Sequence, residues 1–155
     1  MKEVWSQCQK TKVPKDNYEL DKMVCDGSNA KIFLIGDMNS LLVEFNGGVW
    51  SAKFSDEIVR IKTYNKIGNL PEFSGGFCWN PLYKIENSEL LDWAMEESEG
   101  YGLDLQHYVL VTQDSIADIL SLFPPAITVR RLEEEGYSEV RTIESEGHNP
   151  FPDLS

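Results

Sequence analysis

The pattern of apolar and polar positions is clearest across residues 107–131. Residues 108–111 form a short apolar run rich in β-formers, which predicts a buried strand. The next apolar residues recur at the i, i+3, i+4, i+7 spacing of one helix face: Ile116, Ile119, Leu120 and Phe123. Pro124 cannot continue a helix, and residues 126–131 return to a strand pattern. This stretch therefore predicts a strand–helix–strand unit at the centre of the fold.

A meander of three or four antiparallel strands is predicted earlier in the chain, across residues 31–64. It contains three apolar runs: 31–35, 41–45 and 49–54. Asn46-Gly47-Gly48 joins the last two, and Asn-Gly between apolar runs predicts a tight hairpin with positive φ. Strict alternation over residues 58–64 fits a further strand with one solvated face.

A second helix is predicted after residue 87. Asn87 or Ser88 offers a side-chain oxygen as its cap, and Gly100 is a suitable stop. Its apolar stripe comprises Leu90, Leu91, Ala94 and Met95, with Trp93 at one edge. Residues 139–143 favour one more strand, at a sheet edge.

These elements predict a single α+β domain, built as a mainly antiparallel sheet of about five to six strands with two helices on one face. Residues 1–29 lack a clear pattern and are interpreted as an irregular N-terminal arm. The domain itself is assigned to residues 30–146, and residues 147–155 to a proline-containing tail.

Composition narrows the class of protein. A hydrophobic content of 41% excludes a disordered chain. No apolar run approaches the roughly 18 residues of a membrane helix, and no signal-type segment follows Met1, so we expect no membrane partner and a cytoplasmic location. Cys8, Cys25 and Cys78 are odd in number and widely spaced, which argues against a disulfide framework and against CxxC metal binding.

Charge is distributed unevenly along the chain. The net charge is −12; residues 86–155 hold 16 acidic and 3 basic residues, a net −13, and the remainder of the chain contributes +1. Such a field repels phosphate backbones and attracts cations, so nucleic acid is an unsuitable partner and a basic protein a suitable one. Solubility alone, as in many acidic bacterial-type proteins, is the alternative explanation.

No motif points to a specific reaction. His107 begins a predicted strand and is the better histidine for acid–base chemistry, with Asp104, Asp114 or Glu86 as its possible partners. Asp114 and Asp118 lie four residues apart on the predicted helix, but one pair supplies too few ligands for a divalent cation. The glycine-rich stretches match no phosphate-binding motif. The sequence therefore predicts no catalytic residue, no metal and no cofactor.

The leading functional hypothesis is a small acidic cytosolic interaction domain, of the inhibitor or immunity type, that binds a basic partner. Its candidate binding residues are two acidic strips and two aromatic residues: Glu89, Asp92 and Glu96; Glu133, Glu134 and Glu135; and Phe77 and Trp79. The oligomeric state is left open.

The alternative hypothesis is a small-ligand-binding or enzymatic domain. Its pocket would lie between the sheet and the aromatic 66–83 loop, lined by Phe73, Phe77, Trp79 and Tyr83. A pocket that contains His107 beside a carboxylate would favour this alternative.

Overall fold

The computed structural model describes residues 2–8, 12–56, 60, 63, 67–68, 80–132 and 138–143. Strands dominate these residues: β1 Val4–Gln7, β2 Glu19–Asp26, β3 Asn29–Ile35, β4 Asn39–Phe45, β5 Val49–Asp56, β6 Leu82–Glu86, β7 Gln106–Val111, β8 Ser115–Ser121, β9 Ala126–Leu132 and β10 Ser138–Ile143. One helix, α1 (Glu89–Glu97), lies between β6 and β7. The protein is thus mainly antiparallel β-structure with a single helix among the residues described.

The strands form two five-stranded antiparallel sheets. The first sheet has the order β1-β6-β7-β8-β5, and the second has the order β10-β9-β4-β3-β2. Every named strand pair is antiparallel. The main hydrophobic core takes residues from both sheets, for example Ile32 and Phe45 from the second and Leu110 and Ile119 from the first. The sheets therefore pack face to face, as in a β-sandwich.

The first sheet is also covered on its other face, which we call the outer face. Trp5, Ile67 and Tyr83 belong to a second apolar cluster there, together with Val109 and Ile116. Helix α1 covers another part of this face, where a third cluster joins three buried residues: Ala94, Leu105 and Leu120. The outer face thus lies partly beneath α1 and partly beneath Ile67.

The helix predicted around residues 114–123 is wrong, because residues 115–121 form strand β8. All seven β8 residues are buried, since the sandwich core covers one side of the strand and α1 with Ile67 cover the other. A strand buried on both faces shows a continuous apolar run, which periodicity cannot distinguish from a buried helix. The prediction of two helices on one face fails for the same reason, and the two sheets replace the predicted sheet of five to six strands.

The predicted hairpin between residues 41–45 and 49–54 is also wrong, because β4 belongs to the second sheet and β5 to the first. Gly47 and Gly48 do adopt positive φ values of 77° and 69°, but they carry the chain from one sheet to the other. A Cβ on Gly48 would lie 2.8 Å from the ring of Phe123, so the crossing also needs the space that glycine leaves.

Other predictions have mixed outcomes. The predicted helix, with Ser88 as its cap, is confirmed, and so are the strands predicted at 31–35, 108–111, 126–131 and 139–143. The N-terminal 29 residues are not irregular throughout, since they contain β1 and β2. Of the strand predicted at 58–64, Arg60 and Thr63 are described, and neither is extended. The predicted tail, residues 147–155, lies outside the described residues.

A buried carboxylate fastens the segment before β2 to the turn between β3 and β4. Asp16 accepts hydrogen bonds from the backbone N–H groups of Asp37, Met38 and Asn39, each at 2.9 Å, and from the Asn39 side chain at 3.0 Å. Burial would raise the pKa of Asp16, but these hydrogen bonds lower it overall. The ionised carboxylate therefore satisfies three turn amides that would otherwise lack a partner.

Replacing Asp16 with alanine is expected to destabilise the fold by about 1.5–3 kcal/mol, the range for hydrogen bonds to a charged group. Because the pKa of Asp16 is lowered in the fold, this contribution is complete above the unfolded pKa of about 4 and is lost as the pH falls through the folded value. Urea denaturation at neutral and acidic pH measures both effects. Asp21→Ala, on the exposed part of β2, is the control, and an equal loss in both variants would contradict the role of Asp16.

Candidate functional site

A chain of polar side chains crosses the outer face of the first sheet. It begins at Ser88, whose Oγ lies 2.7 Å from His107 Nδ1. The other ring nitrogen of His107, Nε2, lies 2.7 Å from Asp118 Oδ1. Arg60 completes the chain, because its Nη1 pairs with Asp118 Oδ2 and its Nη2 lies 3.4 Å from Oδ1. This series thus connects four side chains from four separate parts of the polypeptide.

The strand register places the two central residues together. His107 in β7 lies opposite Leu120 in β8, and Asp118 in β8 lies opposite Val109 in β7. His107 and Asp118 are therefore diagonal neighbours that point to the same face. In the predicted helix, Asp118 would have shared a solvated face with Asp114 instead.

The ionisation of Asp118 determines which atoms of this series carry the hydrogens. Burial would raise the pKa of Asp118, but the hydrogen bonds from His107 and Arg60 and their positive charge lower it overall. Ionised Asp118 can only accept, so His107 carries its hydrogen on Nε2 and donates it. When the imidazole is neutral, Nδ1 accepts the hydroxyl hydrogen of Ser88, and when the ring is protonated, Nδ1 donates to the Ser88 oxygen.

Ser88, His107 and Asp118 resemble a nucleophile–base–acid series, but Ser88 is not placed to act as a nucleophile. Its side-chain oxygen accepts the Leu91 N–H at 3.0 Å as the N-cap of α1, and the residue is only 2% exposed. A nucleophile must reach the substrate, and this hydroxyl is held inside the fold by both of its hydrogen bonds. The chain therefore fastens α1 and Arg60 to the first sheet.

A cleft of about 250 Å³ opens above this chain on the outer face. Its lining combines charged, aromatic and aliphatic side chains: Glu3, Trp5, Lys53, Arg60, Thr63, Ile85, Glu89, Leu90, Trp93, His107 and Asp118. His107 and Asp118 are buried, whereas Trp93 and Lys53 are exposed. The cleft therefore has a satisfied polar interior and accessible groups at the side formed by α1 and β5.

Glu3 fixes the start of α1 from the cleft side. Its Oε2 accepts the backbone N–H of Glu89 at 3.0 Å, and its Oε1 accepts the indole N–H of Trp5 at 3.3 Å. A carboxylate at a helix N-terminus satisfies an unpaired amide and complements the helix dipole. Glu3 thus contributes to helix position, and its carboxylate is engaged within the fold.

The exposed side of α1 and the turn after it form a strongly acidic surface, which we call the acidic surface and define as residues 89–104. It has no basic residue, and its six exposed acidic residues are Glu89, Asp92, Glu96, Glu97, Glu99 and Asp104. Three large hydrophobic residues are exposed among them: Trp93 at 53%, Tyr101 at 83% and Leu103 at 74%. Carboxylates thus surround accessible apolar side chains.

Helix stability does not account for this distribution of charge. Glu89 and Asp92 in the first turn are favourable to the helix dipole, but the last turn contains no basic residue. Glu96 and Glu97 lie in that last turn, where a negative charge opposes the dipole. Each such charge destabilises an exposed helix by a few tenths of a kcal/mol.

The structure places the predicted site residues unequally. Glu89, Asp92 and Glu96 lie on one exposed strip of α1, as the helical spacing predicts. Tyr83 is buried in β6 against Trp5 and does not line the cleft. The remaining predicted residues lie outside the described part of the chain: Phe73, Phe77, Trp79, Glu133, Glu134 and Glu135.

Sequence reasoning missed several residues of the site. Tyr101 and Leu103 lie beside Gly100 and Gly102, which indicate only a connection between elements. Their position beside these glycines is the one signal that could have marked them as exposed. The partner of His107 was missed because Asp118 had been placed on a helix.

Among the residues described, no cluster of His, Cys, Asp and Glu is arranged to hold a metal ion. Within the same residues, no helix has the length and apolar character needed to cross a membrane. Comparisons with protein-family models, with curated proteins and with solved structures yield no match. The acidic surface and the cleft are therefore the two candidate functional sites of the described residues.

Proposed function

We propose that this protein is a cytosolic protein-interaction domain, of the inhibitor or immunity type, that binds a basic partner through its acidic surface. One observation carries the proposal: residues 89–104 combine six exposed carboxylates with three exposed large hydrophobic residues and contain no cation. A surface used only for solubility gains nothing from exposed tryptophan, tyrosine and leucine.

The carboxylates supply long-range attraction. Six negative charges within one helix and its following turn attract a cationic partner and speed its encounter. This attraction is screened by salt, so it acts chiefly on the association rate at low ionic strength.

Trp93 supplies the short-range contact. Its exposed ring lies on α1 beside Glu89, one turn earlier, and both residues line the cleft. A lysine or arginine of the partner can stack on the indole while it pairs with a neighbouring carboxylate. Tyrosine and tryptophan are also the side chains that most often dominate binding energy at interfaces, which favours Trp93 and Tyr101 as anchors.

Charge reversal tests the proposal. We expect slower association with a basic partner, by about tenfold or more at low salt, in the triple variant Glu89→Lys, Asp92→Lys, Glu96→Lys. Trp93→Ala is expected to raise the Kd by about 30-fold, which corresponds to about 2 kcal/mol of binding free energy. The partner is first captured from the source cell with the native protein, then purified. Surface plasmon resonance across a salt series measures both rates.

The matched control reverses three exposed charges on β2, far along the chain from α1: Glu19→Lys, Asp21→Lys and Asp26→Lys. Both triple variants change the net charge equally, so only a local surface distinguishes them. Equal loss of association rate in both would mean that overall charge is responsible. An unchanged rate in the α1 variant would refute the acidic surface as the binding site.

The cleft favours a second candidate function, the binding of a small polar ligand. Its lining brings His107 and a carboxylate together and leaves Lys53 and Trp93 accessible. A thermal-shift screen with small anionic and zwitterionic compounds tests this function. Stabilisation that Lys53→Ala abolishes would support it, and no stabilised compound in the screen would count against it.

A further inference from the structure

The outer edge of β5 has the features of a pairing site, and we propose that it pairs with β5 of a second copy of this chain. The two copies would join their first sheets, in antiparallel orientation, into one continuous ten-stranded sheet. This inference is independent of the acidic surface, because no residue of 89–104 takes part in the pairing.

Strand β5 ends the first sheet, and among the strands described it pairs with β8 alone. Such a strand presents a row of backbone N–H and C=O groups to a possible neighbour. Edge strands that remain single are usually protected by charged side chains. At the corresponding edge of the second sheet, β2 carries four exposed charged residues within eight positions: Glu19, Asp21, Lys22 and Asp26.

Strand β5 exposes three apolar side chains and two charged ones, Lys53 and Asp56, whereas β2 exposes four charged side chains. Trp50 is 51% exposed and Phe54 is 55% exposed, and Ala52 between them is exposed as well. Two exposed aromatic residues on one edge strand are unusual unless they are covered by a partner. The edge is therefore suited to strand addition.

Local charge identifies the kind of partner. Strand β5 contains one basic residue, Lys53, and one acidic residue, Asp56, so it is locally neutral in a chain whose net charge is −12. A basic partner gains no attraction here, so this edge does not extend the acidic surface. A second copy meets no excess of acidic residues along β5, and the overall repulsion between two acidic chains is weakest where the local charge is balanced.

Symmetry restricts the register. A two-fold axis perpendicular to the sheet pairs residues that point to the same face. An axis at Lys53 would oppose two lysines, which is unfavourable. An axis at Phe54 opposes the two Phe54 rings and places Lys53 opposite Ser55. It also uses only the regular part of the strand, since the irregularity in the ladder with β8 lies between Val49 and Ser51.

Oligomeric state tests the pairing directly. Sedimentation velocity over a concentration series is expected to show native protein converting from the 17.7 kDa monomer to a dimer of twice that mass. Phe54→Lys introduces a charge at the centre of the edge and is expected to abolish the dimer. Val24→Lys makes the same change at an exposed apolar residue of β2 and is expected to retain it.

Disulfide trapping tests the register. In a variant whose three native cysteines are alanine, Phe54→Cys is expected to form a disulfide-linked dimer on oxidation, since directly opposed residues have Cα atoms about 4.5–5.5 Å apart. In this register, residue 51 of one copy lies six positions along the strand from residue 51 of the other copy. Ser51→Cys is therefore expected to form no disulfide between the copies.

A native protein that stays monomeric at all concentrations would overturn the proposal. So would a dimer that Phe54→Lys leaves intact, or a disulfide that forms equally at residue 51. Circular dichroism of each variant separates loss of pairing from loss of fold. None of these three outcomes depends on a basic partner, so the acidic surface is tested separately by its own experiment.

Discussion

Replacing Asp118 with asparagine is expected to destabilise the protein by about 3–5 kcal/mol at neutral pH, the usual cost of removing one partner from a buried ion pair. Asp118 is 1% exposed, and it accepts hydrogen bonds from both His107 and Arg60. The variant leaves the Arg60 guanidinium without its anion in a largely buried position. Urea denaturation measures the loss.

The destabilisation caused by Asp118→Asn is expected to decrease as the pH is lowered. The pKa of Asp118 is lowered in the fold, so its stabilisation is complete above the unfolded pKa of about 4 and is lost as the pH falls through the folded value. The difference between native protein and variant should therefore shrink as the solution is acidified. Asp114→Asn, an exposed position four residues away, is the control and is expected to change stability little. Equal losses in both variants, or a gap that widens in acid, would contradict the buried ion pair.

The parts of the fold that could be predicted are those with local signals. Helix α1 carries its own N-cap at Ser88 and its own stop at Gly100, whose φ is 92° and whose N–H bonds to the Met95 carbonyl. Its acidic strip follows from helical spacing alone. No information from distant residues was required, and the helix and its exposed carboxylates were therefore accessible to sequence reasoning.

The parts that could not be predicted depend on which strands pair. Asn46-Gly47-Gly48 favours a reversal, but the partner of β4 beyond β3 is β9, far along the chain, and not β5. The polar chain of the site has the same origin, since Arg60, Ser88, His107 and Asp118 meet only after the first sheet has assembled. Local periodicity contains no information about these encounters.

The acidic surface could be predicted only in part. Its carboxylates were predicted from the helix, whereas its exposed hydrophobic residues were not. Trp93 lies at the edge of an apolar stripe, and sequence cannot show whether such an edge is covered. The exposure of Trp93, Tyr101 and Leu103 among the carboxylates is therefore visible only in the structure.

Leu120→Ala and Ile119→Ala are each expected to cost about 2–5 kcal/mol, because both side chains are fully buried. They should nevertheless differ in where the structure loosens. In strand β8 these neighbours point to opposite faces: Ile119 packs between the two sheets, and Leu120 packs beneath α1 with Ala94 and Leu105.

Native-state hydrogen exchange followed by mass spectrometry distinguishes the two variants. Leu120→Ala should lower the opening free energy of the α1 amides relative to that of the sheets, because it removes the main apolar contact between α1 and β8. Ile119→Ala should lower global stability without singling out α1. A helix at residues 116–123 would place both side chains on one face, and both variants would then loosen α1 alike, an outcome that would contradict the strand assignment on which the site depends.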